Sequence, residues 1–300
     1  MEQVAAEPAV RYARGLLSVE ECEHIMGLAL PYLARSEVVG EEANYTVLDE
    51  ATGEQVGVRT SHSADIGRRY DRVLAEVEAR VARFAGLPEV NSEPMQVQRY
   101  QDGQQYREHS DCFEYDAEAA LFWNTNGGQR SVTVLLYLHE PEEGGETVFP
   151  NRQDWLKPEQ AWAGGNETWS ECGRKGVAVK PLQGSAVMFE NLSDPNQPTP
   201  MANILANHAG CPVLAGEKWT ATKWFHIDPY RKCCWDALQE NPEGFEPRSA
   251  LQHLATTSKR RRCHNGIPRA GERVVGPQQK APQARAPAAG PAGQAGAGPQ

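Results

Sequence analysis

The spacing of apolar positions predicts two amphipathic helices in the first part of the chain. Residues Ser18–Glu21 have the form of a capping box, and apolar residues follow at helical spacing until Pro31 ends the helix. A second apolar stripe, with charged residues on the opposite face, lies between residues 65 and 86. Neither helix carries candidate chemistry, so we interpret residues 1–92 as a helical support for a sheet.

The pattern changes after residue 92 to short segments rich in alternating or β-branched apolar residues, separated by Gly, Pro and Asn. Eight such segments are predicted as strands: 95–101, 105–111, 131–138, 146–149, 176–180, 185–190, 203–209 and 218–227. Eight short strands after two helices are typical of an α+β fold with a double-stranded β-helix, or jelly roll. We expect this core at 93–230, with the helical region in the same domain.

The periodic pattern weakens after the last predicted strand. We treat 231–257 as an extension of the core. Residues 258–300 begin with a KRRR run and continue in Pro, Gln, Ala and Gly, a composition that cannot bury enough apolar surface to offset its ordering entropy. We therefore predict a disordered tail. The KRRR run is interpreted as a solvated cluster rather than a nuclear address or a polyanion contact.

Charge is divided unevenly along the chain. Residues 258–300 contain eight Lys or Arg and one acidic residue, a net charge of +7, and subtracting this from the total of −10 leaves −17 for the first 257 residues. An acidic body repels the phosphate backbone, so a nucleic-acid enzyme is disfavoured. No apolar run reaches the roughly 18 residues that a membrane-spanning helix needs, and the start lacks a signal-peptide layout.

Seven cysteines are scattered along the chain without CxxC pairs. The odd number specifies neither a disulfide framework nor a zinc cluster, so we interpret them as buried free thiols. Three N-x-S/T sequons, at Asn44, Asn166 and Asn191, are compatible with secretion but also arise by chance.

A candidate metal site begins with His109-Ser110-Asp111 at the end of a predicted strand. Residues i and i+2 of a strand point to the same face, so the imidazole and the carboxylate can share one metal ion. His208, in a late predicted strand, is the candidate third ligand. Two His and one carboxylate form the facial triad that leaves three positions of octahedral iron(II) open, enough for a bidentate co-substrate and dioxygen.

Lys218 follows the proposed third ligand by ten residues, across a turn at Gly216. Two neighbouring strands joined by this turn would return the ammonium group towards the metal. Its expected task is to hold the distal carboxylate of 2-oxoglutarate.

Five sequence blocks between residues 99 and 226 resemble the catalytic domain of prolyl 4-hydroxylases. They are RYQDGQQYREHSD at 99–111, GGQRSVTVLLYL at 127–138, EEGGETVFPN at 142–151, KGVAVKPLQGSAVMF at 175–189 and NHAGCPVLAGEKWTATKWFH at 207–226. The blocks keep the family's order and spacing. With a thinner similarity from Arg11 onwards, the resemblance covers about three quarters of the chain.

The resemblance implies a role for each matching residue. His109, Asp111 and His208 would bind iron(II), and Lys218 would pair with the distal carboxylate of 2-oxoglutarate. The same co-substrate would be hydrogen-bonded by Tyr100, and Thr133 would line its pocket. Three further residues match family positions in the substrate groove or beside the iron: Tyr106, Arg130 and Trp224.

The resemblance also implies the reaction and its partners. Dioxygen and 2-oxoglutarate would be consumed, a prolyl residue in a Pro-rich peptide would be hydroxylated, and L-ascorbate would be the reductant. Family members usually enter the secretory pathway, in the endoplasmic reticulum or Golgi, whereas the missing leader pattern favours the cytoplasm as the alternative. The sequence does not define an oligomeric state.

Other functions remain open at this point. A 2-oxoglutarate dioxygenase acting on another substrate, such as a nucleic-acid demethylase or an oxygen-sensing hydroxylase, would have the same ligands. Such relatives typically hold the co-substrate with Arg, whereas this chain has Lys218. A peptide-binding module that has lost catalysis would be expected to lack one of the ligands, and all of them are present.

Overall fold

The computed structural model describes residues 2–6, 9–36, 46–48, 55–113, 127–153, 169–196 and 201–230. The expected extension 231–257 and the expected disordered tail 258–300 lie outside the described residues, as do the sequons at Asn44 and Asn166. Among the described residues, no helix is long and apolar enough to cross a membrane.

Both predicted helices are present. Helix α1 spans Val19–Ala29, and the capping box forms: the Ser18 hydroxyl accepts from the Glu21 backbone N–H, and the Glu21 carboxylate accepts from the Ser18 N–H. Helix α2 spans Arg72–Ala85. It begins at the Asp71 cap and ends at Gly86, whose φ of 72° is the left-handed conformation that glycine adopts without steric cost.

The strands are short, and each is named here by its bounds. They are β1 (Glu2–Ala5), β2 (Val10–Ala13), β3 (Ala34–Arg35), β4 (Thr46–Leu48), β5 (Gln55–Gly57), β6 (His62–Ile66), β7 (Met95–Tyr100), β8 (Tyr106–His109), β9 (Arg130–His139), β10 (Glu143–Gly144), β11 (Thr147–Phe149), β12 (Val177–Val179), β13 (Ala186–Glu190), β14 (His208–Gly210), β15 (Val213–Ala215) and β16 (Lys218–His226).

Most strands belong to two sheets that face each other. The larger sheet has the order β1-β2-β13-β9-β16-β7-β6-β3, and the smaller has the order β12-β11-β14-β8. All pairings within both sheets are antiparallel. Two further pairs, β4-β5 and β10-β15, lie outside them. The predicted jelly roll is therefore confirmed.

The N-terminal region differs from the purely helical support that the pattern predicted. It supplies four strands of the larger sheet, β1, β2, β3 and β6, besides the two helices. The segment 62–66, at the edge of the second helical pattern, is strand β6, so α2 begins later than that pattern does. The strand predicted over 203–209 is also shorter, because Asn203 caps a 3-10 turn at Ile204–Ala206 and β14 starts only at His208.

Two apolar clusters hold the layers together. Helices α1 and α2 pack on the outer face of the larger sheet, where the buried side chains include Ile25, Leu74, Val77, Val81, Val134, Leu136, Ala221 and Phe225. A second cluster fills one end of the space between the sheets, with Tyr12, Tyr137, Phe149, Val187 and Phe189 among its members. Each such side chain contributes about 1.5–3 kcal/mol when fully buried.

Strand β16 carries two buried lysines on opposite faces. Residues an odd number of positions apart in a strand point to opposite faces, so Lys218 points between the sheets and Lys223 points towards the helices. Lys223 forms an ion pair with Glu78 of α2 and also donates to the Glu93 carbonyl. The strand is therefore fixed in register by polar groups as well as by packing.

Cys172 and Cys211 form a disulfide, so the expectation of free thiols is wrong for this pair. The two cysteines are 39 residues apart, and only the folded sheet brings them together. The bond links the 3-10 turn before β12 to the residue that follows β14. Cys22 and Cys112 are free, as expected.

Candidate active site

The three candidate metal ligands come from the smaller sheet and the residues just beyond it. His109 is the last residue of β8, Asp111 follows two positions later, and His208 is the first residue of β14. Strands β8 and β14 are paired, with His208 directly opposite His109. The pairing of β8 with β14 thus brings His208 next to His109, a contact that the sequence could only suggest.

Ligand atoms of these residues all lie within 4.8 Å of one another. Nε2 of His109 is 3.7 Å from Oδ1 of Asp111, and Nε2 of His208 is 3.8 Å from Oδ2. Each of the three residues is only 7% exposed. The site is therefore a compact, buried cluster of two imidazoles and one carboxylate.

Hydrogen bonds fix which ring nitrogen is available in each histidine. Nδ1 of His109 lies 2.8 Å from the Arg107 carbonyl oxygen, and Nδ1 of His208 lies 3.1 Å from the Ala206 carbonyl oxygen. Because a carbonyl can only accept, Nδ1 carries the proton in each ring, and Nε2 keeps its lone pair. This is the tautomer that a metal-binding histidine needs.

The electrostatics of the site favour the metal-binding protonation state. Burial and the neighbouring His208 lower the pKa of His109 well below its ordinary value. Burial alone would raise the pKa of Asp111, but the two histidines and Arg130 lower it below its usual range. A neutral imidazole beside an ionised carboxylate is the state that binds a metal ion without first losing protons.

The donor set fits iron(II). Two imidazole nitrogens and one carboxylate oxygen form the two-histidine, one-carboxylate triad of non-haem iron oxygenases, whereas a structural zinc site would require a fourth protein ligand. Among the described residues, these three side chains form the group of His, Cys, Asp or Glu that lies close enough together to hold a metal ion.

Lys218 lies in the interior beside the metal-ligand strand. A Cβ atom added to Gly210, two residues after His208, would lie 3.9 Å from the Lys218 Nζ atom. The ammonium is 5.4 Å from the ring centre of Tyr100 and 5.8 Å from that of Tyr137. Lys218 is 2% exposed, and its Nζ makes no hydrogen bond among the described residues. A buried, unpaired cation is costly, and an anionic ligand would relieve that cost.

Thr133 forms two side-chain hydrogen bonds beside a metal ligand. Its hydroxyl lies 2.6 Å from Oδ2 of Asp111 and 2.9 Å from Nδ2 of Asn191. Both hydrogen bonds belong to the metal end of the site. Thr133 therefore lies directly behind a metal ligand, and its expected place in the co-substrate pocket stays a prediction.

Tyr106 stacks on a metal ligand. Its ring lies 3.6 Å from that of His109, with an interplanar angle of 13°. The guanidinium carbon of Arg59 lies over the same ring, 4.9 Å from its centre. Tyr106 is thus held against a metal ligand, and its role in the substrate groove stays a prediction.

Arg130 and Trp224 form another wall of the site. The guanidinium carbon of Arg130 lies 3.9 Å from the Trp224 ring centre and 4.6 Å from that of Phe113. Nη1 of Arg130 also lies 3.4 Å from the backbone oxygen of Asp111. The indole N–H of Trp224 is buried and has no hydrogen-bond partner in the described part of the chain.

Several residues near the site were missed by the sequence reasoning. The Tyr137 hydroxyl and the Thr147 hydroxyl are 2.8 Å apart, and the Tyr137 ring borders the Lys218 ammonium. Strand alternation was a usable signal, because Tyr137 faces the same way as Thr133. Asn191, Glu93 and His226 had no such signal, since their contacts join segments far apart in the sequence.

Comparison with known proteins defines the class. The family model described as the 2OG-Fe(II) oxygenase superfamily matches residues 95–226, a range that contains all three metal-ligand candidates and Lys218. The chain thus belongs to a class of oxygenases that use iron(II) and 2-oxoglutarate. No other donor set in the described residues competes with this assignment.

Curated relatives narrow the class to one family. Probable prolyl 4-hydroxylase 7 of Arabidopsis thaliana is 38% identical over 233 residues, covering 77% of this chain and 66% of that protein. Prolyl 4-hydroxylase 2 of the same plant is 37% identical over 232 residues, covering 77% and 72%. The chain belongs to the prolyl 4-hydroxylase family.

The chain also matches a solved structure at low similarity. The viral collagen prolyl hydroxylase of Paramecium Bursaria Chlorella virus-1, in its 2-oxoglutarate complex, is 24% identical. The match covers 72% of this chain and 94% of the viral one, with a TM-score of 0.48.

Proposed function

We propose that this chain is an iron(II)- and 2-oxoglutarate-dependent dioxygenase that hydroxylates prolyl residues at carbon 4 in Pro-rich peptides or proteins. Dioxygen and 2-oxoglutarate are consumed, and succinate and carbon dioxide are released with the hydroxyprolyl product. One observation carries the proposal: a complete two-histidine, one-carboxylate cluster lies beside a buried ammonium group that makes no hydrogen bond among the described residues.

In this proposal, His109, Asp111 and His208 hold the iron. When bound, iron(II) and 2-oxoglutarate supply the oxidising chemistry, and the protein supplies position and shielding. Nε2 of each histidine is directed to the metal because Nδ1 donates to a backbone carbonyl. The low exposure of the three ligands limits the access of water to the reaction.

Lys218 binds the distal carboxylate of 2-oxoglutarate. Two glycines leave space for this around the lysine: a Cβ atom at Gly145 would lie 3.1 Å from the Lys218 Cδ atom, and Gly210 leaves the space beside Nζ open. Tyr100 is paired with Lys218 across the sheet and lies on the same side of it. We assign Tyr100, and the Tyr137 hydroxyl with its Thr147 partner, to the same pocket.

The substrate groove is assigned to the aromatic and cationic walls described above. Tyr106 stacks on His109, and Arg130 lies against the Trp224 ring and the backbone oxygen of Asp111. Pro-rich segments adopt the preorganised polyproline II conformation and are recognised by aromatic-lined grooves. This chemistry favours a prolyl peptide over a charged small molecule.

We also propose L-ascorbate as the reductant that restores the iron after unproductive turnover, on the basis of family membership. The Cys172–Cys211 disulfide supports an oxidising compartment, and hence the secretory pathway rather than the cytoplasm. Localisation of a full-length fusion, with oxidised and reduced cysteines counted by mass spectrometry, tests the compartment.

One assay tests the enzyme assignment and the substrate assignment separately. The purified chain is loaded with iron(II), 2-oxoglutarate and ascorbate and then given collagen-like, Ser-Pro and Ala-Pro peptides in parallel. We expect succinate release coupled to a gain of one oxygen on a prolyl residue, and chromatography against standards should identify 4-hydroxyproline.

Two variants serve as controls in this assay. His208→Ala should neither bind iron nor add oxygen to a peptide. Lys218→Met should still bind iron but should lose most of its affinity for 2-oxoglutarate. Failure of the intact protein to bind iron or 2-oxoglutarate would overturn the enzyme assignment. Turnover without a hydroxylated prolyl peptide would overturn the substrate assignment alone.

A further inference from the structure

A chain of three buried side chains leads away from the metal site. Nδ2 of Asn191 donates to the Thr133 hydroxyl at 2.9 Å, and that hydroxyl lies 2.6 Å from Oδ2 of Asp111. Thr133 is 1% exposed and Asn191 is 2% exposed, so water does not compete for these groups. The three residues come from β9, the end of β13 and the segment after β8.

The direction of these hydrogen bonds is set by chemistry. The amide nitrogen of Asn191 can only donate, so it occupies a lone pair of the Thr133 oxygen. The single hydroxyl proton of Thr133 is then free to point at Asp111, whose ionised carboxylate can only accept. Asn191 and the carboxylate therefore favour the same arrangement, in which Thr133 donates to the metal ligand.

The backbone around Asn191 is fixed as firmly as its side chain. Its N–H donates to the Ser131 carbonyl at 2.8 Å, and its own carbonyl accepts from the Asn203 N–H at 2.8 Å. These bonds join the end of β13 to β9 on one side and to the turn before β14 on the other. The amide of Asn191 is consequently held in place independently of the metal site.

We propose that Thr133 and Asn191 are positioning residues that set the orientation of the Asp111 carboxylate. The inference rests on the metal site proposed above. The hydrogen bond from Thr133 occupies Oδ2, whereas Oδ1 accepts no hydrogen bond among the described residues. The carboxylate would therefore be held in one orientation towards the metal, with both lone pairs of Oδ1 left available to bind it.

Metal affinity gives a test that does not depend on turnover. Iron(II) binding is measured without oxygen, by competition with a coloured chelator, on the wild type and on Thr133→Val. Partners of metal ligands typically contribute about 10–100-fold in metal affinity, so we expect Thr133→Val to weaken iron binding in this range. Thr133→Ser keeps the hydroxyl and should restore most of it.

Ser131→Ala is the matched control. Ser131 lies two positions before Thr133 on the same strand, and its hydroxyl is also buried, but it donates to the Phe225 carbonyl at 3.1 Å. The substitution removes a buried hydroxyl without touching Asp111. We expect it to lower the thermal midpoint slightly and to leave iron affinity unchanged.

Asn191→Asp tests the direction of the hydrogen bonds. The replacement is almost isosteric, but it exchanges a donor for an acceptor that competes with Asp111 for the Thr133 proton. We expect it to weaken iron binding at least as much as Thr133→Val does, and to alter the visible absorption of the anaerobic iron–2-oxoglutarate complex. In the background of Thr133→Val it should have little further effect, because the proton is already absent.

Two results would overturn the inference. One is wild-type iron affinity in folded Thr133→Val; the other is equal losses in Thr133→Val and Ser131→Ala, which would indicate general destabilisation. If the wild type itself binds no iron, the proposed function fails instead. The two failures are thus distinguishable.

Discussion

Arg130 forms an ion pair with Glu93 directly behind the wall of the candidate substrate groove. Oε1 of Glu93 lies 2.6 Å from Nε of Arg130 and 2.9 Å from Nε2 of His226. Burial alone would raise the pKa of Glu93, but Arg130 and His226 lower it to about 2. One carboxylate therefore holds two side chains at the site.

The Arg130–Glu93 pair predicts that Arg130→Ala will reduce both activity and stability. Removing one partner leaves a largely buried carboxylate without its main counter-charge, at a cost of about 3–5 kcal/mol. Urea unfolding measures the stability, and succinate release measures the activity. The double variant Arg130→Ala with Glu93→Gln should recover part of the stability and none of the activity. Recovery of activity in the double variant would show that Arg130 does not contribute to the groove.

The depressed pKa of Lys218 predicts how 2-oxoglutarate binding depends on pH. Burial lowers this pKa to about 8, and only the protonated form can pair with the distal carboxylate. We expect affinity to be constant well below pH 8 and to fall about tenfold per pH unit above it. Anaerobic titration over this range measures the effect. Lys218→Met should bind weakly and lose this dependence, and a flat wild-type profile would contradict the assigned role.

The lowered pKa of Lys218 also predicts that the ligand-free protein becomes more stable as the pH rises, whereas 2-oxoglutarate binding becomes weaker. The unfolded chain, in which the lysine has its ordinary pKa of 10.5, binds more protons than the folded chain between about pH 8 and 10.5. Lys218 therefore makes the free energy of unfolding rise over this window. The rise should be absent in Lys218→Met, which would be more stable than the wild type at neutral pH.

The Cys172–Cys211 disulfide predicts a redox-dependent stability. Its loop of 39 residues corresponds to about 4 kcal/mol in the chain-entropy model. Cys172→Ser with Cys211→Ser should unfold at correspondingly lower urea, and a reductant should have a similar effect on the wild type alone. Cys22→Ala, which removes a buried free thiol, is the control and should keep its sensitivity to reductant. Equal stability of oxidised and reduced wild type would contradict the prediction.

Burial of Asn191 predicts that its sequon carries no glycan in folded protein. The nitrogen that would accept the sugar is 2.9 Å from Thr133 inside the fold. Peptide mapping of active protein from a glycosylating host should find Asn191 unmodified. Ser193→Ala removes the sequon and keeps the amide, so it should leave activity unchanged. A glycan on Asn191 in active protein would contradict the structure.

Local patterns predicted the elements whose stabilising contacts are local. The capping box at Ser18–Glu21 and the apolar stripe of α2 both lie within one helix, so the sequence was sufficient. Strands β1 and β2 have only four residues each, too few for alternation to be recognised, and they are stabilised by pairing with each other and with β13. Their prediction would have required knowledge of a distant partner.

The residues of the candidate site likewise fall into those that the sequence could predict and those that depend on contacts between distant segments. His109 and Asp111 were predictable because strand geometry links positions two apart, and His208 and Lys218 were predictable from the resemblance. Asn191 donates across 58 residues to Thr133, and nothing in the local pattern marks it. The disulfide was equally inaccessible, because spacing alone does not define cysteine pairing.

The opposed lysines of β16 make this strand intolerant of changes in length. If one residue were deleted between Lys218 and Lys223, alternation would turn both side chains to the same side. Either the Lys218 ammonium would leave the proposed 2-oxoglutarate pocket, or Glu78 of helix α2 would lose its counter-charge. Insertions and deletions in this family should therefore accumulate in the segments that connect the strands. The five-residue spacing between Lys218 and Lys223 should stay constant, because it places one lysine between the sheets and the other under the helices.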